Sequence, residues 1–188
     1  MSESLKSHIL NNRHWWTKQF TFDHLQSSVT RVHFVAHENP LNEAGSPGES
    51  PTNHWTLYFF ISDDLYVHID AVPSDPGSPG TILIESKNSA PATDGCIHMV
   101  TADVRVGLTV EDLLGVIVNN KRDNYTFDPA TGEGCRYWLS VISKDFVQAG
   151  IIHKHESDTV INALGMYWPS PLGTPPVPRP VARGSFNA

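Results

Sequence analysis

Two residues of this chain carry the types and the setting for nucleophilic chemistry. Cys135 follows Gly-Glu-Gly at the expected first turn of a helix, where unpaired backbone N–H groups and the helix dipole favour a thiolate. His54 opens an aromatic-rich strand, on the same alternating face as Thr56 and Tyr58. A thiol and an imidazole within hydrogen-bond reach are the minimum for a cysteine nucleophile. His68 and Asp70 on the next strand are both candidates to orient the imidazole. Glu133, an anion two residues before the thiol, is expected to raise its pKa and blunt it. A second chemistry uses the same region. Trp55, Thr56, Tyr66, Asp70 and Trp138 would wall an apolar pocket, with His54, Tyr58 and His68 supplying hydrogen bonds to an apolar small-molecule substrate.

The elements that must position these groups are legible as periodicity. Alternation over 29–37 predicts a strand with one buried face, Val32, Phe34 and Ala36 inward. Residues 53–61 predict a central strand, Ser62-Asp63-Asp64 a turn, and 65–70 its hairpin partner. Further strands are expected over 81–85 and 97–102. Thr109 caps a helix with an apolar stripe from Val110 to Val118. Asn124 to Phe127 reads as extended, 128–134 as a turn, and a helix runs from Cys135 to Gly150. Other helices are expected within 5–20, anchored by Trp15 and Trp16, and over 157–167. The stretches 38–53 and 73–80 are Gly/Pro-rich loops. Strands followed by helices imply an α+β fold, an antiparallel sheet with helices packed on one face. The 188 residues form a single domain (1–188), with the core over 29–167 and a Pro-rich extended tail over 168–188.

Composition narrows the chemistry. A net charge of −7 without a basic cluster argues against nucleic acid. No apolar run is long enough to span a bilayer, so no membrane association is expected. The start lacks a signal-peptide pattern, and Cys96 and Cys135 read as thiols, so the expected compartment is the cytoplasm. His33 and His37 lie about 13 Å apart along a strand and cannot share a metal. The pairs His153/His155 and Cys96/His98 are too few for a closed zinc site. There is no phosphate loop, dinucleotide fingerprint or nucleophile elbow, so no cofactor is expected.

The order His54, second strand, then Gly-Cys-Arg-Tyr-Trp opening a helix resembles the circularly permuted papain-like arrangement, in which His precedes Cys. The resemblance covers roughly 53–150 and implies a thiol hydrolase or acyltransferase. It departs at Gly134, where those families commonly carry Asn. The segments "NHWTLYFFI", "YTFDPATGEGCRYWLSVI" and "YWP…RGSF" are similar to a family of fungal domains of unknown function. That likeness extends to a norbornene-forming Diels–Alderase of fungal specialised metabolism. It implies a cofactor-independent cyclase or isomerase that orients an apolar substrate by His and Tyr hydrogen bonds. The weakened thiol and absent cofactor motifs put the cyclase reading first, ahead of the thiol enzyme and of a non-catalytic small-molecule-binding module.

Overall fold

Strand β3, His54–Ser62, holds nine residues rich in aromatics and β-branched side chains and sits inside the main sheet. The computed structural model describes residues 2–39, 51–75, 77–93 and 95–187. Most of the expected 38–53 loop, residues 40–50, lies outside them, as does Pro76 of the 73–80 loop. The sheet is built from β1 (Trp15–Gln19), β2 (Arg31–His37), β3, β4 (Leu65–Val72), β5 (Thr81–Lys87) and β6 (Cys96–Asp103), in the order β1-β5-β4-β3-β2-β6. The β3–β4 hairpin pairs Tyr58 with His68 and Leu57 with Ile69, as the Ser62-Asp63-Asp64 turn predicts.

Four helices accompany the sheet: α1 (Ser2–Asn11), α2 (Val110–Asn119), α3 (Cys135–Gln148) and α4 (Lys154–Leu164). Together they make the α+β fold. Helix α3 packs on β3 and β4, and α4 on β6. Between the layers lie Phe34, Leu57, Phe59, Val67, Ile69 and Ile84 of the sheet against Trp138, Leu139, Ile142 and Phe146 of α3. Thr109 and Asp112 close a reciprocal capping box at the start of α2.

Four expectations change. The helix expected within 5–20 ends at Asn11, where the Asn12 side chain accepts the His14 N–H and turns the backbone out of the helix. Trp15 and Trp16 then form β1, which runs parallel to β5, so the sheet is mixed rather than purely antiparallel. The last helix starts at Lys154, because Glu156 accepts the His153 N–H at its N-terminus. It stops at Gly165, and Met166–Tyr167 becomes β8, paired with β9 (Val177–Pro178). Finally, β2 is buried on both faces rather than one. Its side turned away from α3 joins a second small cluster of Val35, Tyr58 and Tyr66.

That second face buries polar groups, among them His33 and His68. His33 bonds to the Thr101 hydroxyl at 2.8 Å. Burial, reinforced by the Arg31 charge, pulls its pKa from 6.5 down to about 4. The unfolded chain therefore takes up this proton first as pH falls. Stability from the neutral folded imidazole is full above 6.5 and is lost as pH drops toward about 4. A depression of this size is worth on the order of 3 kcal/mol. The variant His33→Asn, which cannot titrate, should lose less stability between about pH 7 and about pH 4.5 than the parent in denaturant melts. Equal losses in the two proteins would contradict a buried neutral His33.

Candidate active site

The residues before α3 fold into a self-bonded loop. Asp128 Oδ1 accepts the N–H groups of Ala130 and Thr131 at 2.8 and 3.0 Å, and the Asp128 N–H donates to the Glu133 carbonyl. Gly134 closes the loop under the Tyr125 ring. A Cβ at Gly134 would lie 2.7 Å from Tyr125 Oη and 2.9 Å from Phe127 Cδ1, which explains why Asn cannot stand there. Tyr125 Oη donates to the Gly134 carbonyl at 3.0 Å and accepts the Gly184 N–H at 2.9 Å. The loop is thus pinned to the tail, where β10 (Ser185–Phe186) pairs with β7 (Tyr125–Thr126). With glycine at the cap, no side chain caps the helix start, and the first backbone bond back to it comes from Trp138 N–H. Cys135 opens the helix there and is half-buried.

At the same end of the sheet, His54 is the first residue of β3. Its Nε2 bonds to Asp70 Oδ1 of β4 at 2.7 Å. Cys135 borders the same cleft as the ring and raises its pKa, and Nδ1 is the nitrogen that Asp70 leaves open to it. The Trp55 backbone N–H, next to His54 in the chain, acts on the same sulfur and lowers its pKa. Burial opposes charge on both groups, but their mutual bonds overcome it. His54 is pushed up to about 11 by Asp70 and Cys135. The Cys135 thiol is lowered by the His54 hydrogen bond and charge and by the Trp55 N–H. These directions favour a thiolate–imidazolium pair, with a carboxylate on the far side of the ring. A thiol, an imidazole and a carboxylate in this order can pass a proton and present a nucleophile at a helix N-terminus.

The structure brings together His54, Cys135 and Asp70 and leaves the other expected residues elsewhere. Tyr58 and Tyr66 belong to the buried cluster on the face turned away from α3. Thr56 is buried and bonds to His37 at 2.8 Å. His68 bonds to Glu85 at 3.2 Å and lies against the Tyr58 ring, so Asp70 alone orients His54. Trp55 and Trp138 are core side chains, and the Trp138 indole N–H donates to the Arg122 carbonyl. Alternation separates the two faces of a strand but does not say which residues reach the sheet's end, where α3 begins.

Glu133 also departs from expectation. Its carboxylate is held by Arg136 Nη2 at 3.1 Å and Arg179 Nη2 at 2.7 Å, so its charge is neutralised before it can act on the thiol. Arg136, itself buried, donates further to the carbonyls of Leu164, Arg179 and Pro180. Asn53 bonds both the N–H and the carbonyl of Trp168. None of Asn53, Arg136 and Arg179 stood out in the sequence, because each acts through backbone groups far along the chain. A cleft of about 420 Å³ opens over Cys135 and His54, walled by Asn39, Thr131, Glu133 and Arg136, with Pro73 and Phe127 on its apolar side. Among the described residues, no three His, Cys, Asp or Glu side chains converge as a metal site requires. No helix among them is long and apolar enough to cross a membrane.

The chain belongs to the family described as a domain of unknown function (DUF7770), whose model matches residues 32–187. That span takes in every residue of the site. No curated protein and no solved structure matches the chain.

The two cysteines give an internal comparison. Both are free. Burial raises the Cys96 thiol, whereas Cys135 is lowered. Iodoacetamide at about pH 6 should therefore alkylate Cys135 at least about tenfold faster than Cys96, read by peptide mass spectrometry. Equal rates, or faster labelling of Cys96, would contradict the ion pair.

Proposed function

We propose that this protein is a thiol-dependent acyl-transfer enzyme, a hydrolase or acyltransferase acting on an amide, ester or thioester. The observation that carries this reading is the His54 ring, bonded to Asp70 through Nε2 and sharing one cleft with the Cys135 thiol at a helix start. The Cys135 thiolate adds to the acyl carbon. The electron pair of the C=O bond moves to oxygen, and the oxyanion meets the uncapped N–H groups at the start of α3. Collapse expels the leaving group, which takes the proton of the His54 imidazolium. Neutral His54 then removes a proton from water or an acceptor nucleophile, which attacks the thioester and releases Cys135 as thiolate. Asp70 keeps the imidazole in the tautomer and orientation both steps need.

The chain order His, Asp, helix-borne Cys agrees with the permuted papain-like resemblance. Two free thiols, one of them nucleophilic, suit a reducing cytoplasm. Of the aromatic residues expected to wall a cyclase pocket, Trp55, Tyr58, Tyr66 and Trp138 are buried side chains that do not line the cleft over Cys135, which favours the thiol reading.

A nonspecific acyl donor tests the proposal without knowledge of the natural substrate. With p-nitrophenyl acetate, the protein should release a burst of nitrophenolate and carry an acetyl group on Cys135. Cys135→Ala should abolish both, His54→Ala should slow acylation roughly ten- to a thousandfold, and Asp70→Asn should fall between it and wild type. Undiminished acylation by a folded His54→Ala protein would remove the dyad from the mechanism.

A further inference from the structure

Resting on the thiol reading, we propose that Arg179, in the C-terminal tail, is a positioning residue that holds the segment before Cys135 against the segment before His54. Its guanidinium bonds both at once. Nη2 donates to Glu133 Oε1 at 2.7 Å, two residues before the thiol. Nε donates to the Pro51 carbonyl at 3.3 Å, three residues before the imidazole. A planar fork with a fixed angle between its N–H groups sets the spacing of the two acceptors, which a single flexible ammonium does not.

Arg179 is itself held in place. Its backbone N–H donates to the Gly165 carbonyl at 2.9 Å, immediately after the β8–β9 pairing begins the tail's return. Its carbonyl accepts Arg136 Nη1 at 3.1 Å, and the next carbonyl, of Pro180, accepts Arg136 Nη2 at 2.8 Å. Arg136 also takes the second oxygen of Glu133. The carboxylate is therefore gripped from the helix by one arginine and from the tail by the other. Asn53 ties the histidine segment to Trp168 but does not reach Glu133. Arg179 bridges the two segments directly. A thiol–imidazole hydrogen bond depends steeply on distance and angle, so a clamp that sets the spacing of the two backbones sets the proton transfer between them. The role is positional because Arg179 bonds Glu133 and Pro51 rather than the thiol or imidazole.

The test uses the full-length chain and follows iodoacetamide alkylation of Cys135, resolved by peptide mass spectrometry, across pH. In Arg179→Ala the rate at about pH 6 should fall at least about tenfold. The rate at about pH 9.5, where most thiols are ionised, should change by less than about threefold. Arg179→Lys, which can hold Glu133 or Pro51 but not both, should recover part of the low-pH rate. Should the alanine variant fail to fold by circular dichroism, Arg179→Gln is read in the same way. A folded alanine or glutamine variant with the wild-type profile would overturn the proposal. A wild-type protein whose Cys135 shows no low-pH reactivity would overturn the thiol reading itself, and the two failures are told apart by which protein lacks that limb.

Discussion

The contact between Cys135 and His54 joins the first residue of a helix to the first residue of a strand, and much of the architecture serves to bring those two starting points together. Strand β3 lies within the sheet with β2 and β4 on either side, so its position is fixed by ladders along both edges. Helix α3 is fixed along its length by Trp138, Leu139, Ile142 and Phe146 in the core. Neither set of contacts determines how far the helix start stands from the strand start. That spacing falls to the Gly134 loop, packed under Tyr125, and to the tail that bonds Arg136, Glu133 and Pro51.

Electrostatics impose a second condition on the same place. A half-buried thiolate–imidazolium pair survives only if its remaining hydrogen-bonding capacity is met and no stray charge opposes it. The Trp55 N–H and the imidazole both favour charge on the sulfur, and the far side of the ring meets Asp70. Glu133 would add a nearby anion, but two guanidiniums balance it. The same carboxylate that threatens the nucleophile becomes the anchor through which its loop is held.

Much of this could be read from residues alone. The β3–β4 hairpin, the Thr109 cap and the helix starting at Cys135 are local features, written in alternation, turn residues and capping oxygens within a few positions of where they act. His54, Cys135 and Asp70 were each legible as candidates from the same local cues, but whether helix and strand bring them together was not. What stayed hidden is non-local. Strand β1 takes its identity from a parallel pairing with β5. The charge of Glu133 is decided by Arg179, forty-six positions later. The aromatic residues were visible as a set, but which cluster each joins depends on the order of strands and the placement of helices. Tyr58 therefore lies buried on the face turned away from α3 rather than in the cleft.

The central claim is that His54 is an imidazolium paired with the Cys135 thiolate. Nitrogen-15 NMR of selectively labelled histidine reads this directly, from about pH 5 to about pH 10, in the wild-type chain and in Cys135→Ala. The account predicts that both His54 nitrogens stay protonated through neutral pH and well above it in the wild type. Loss of the sulfur should lower the titration, with Asp70 still bonded to Nε2. A wild-type His54 that loses its proton near 6.5, as an unpaired histidine does, would contradict it.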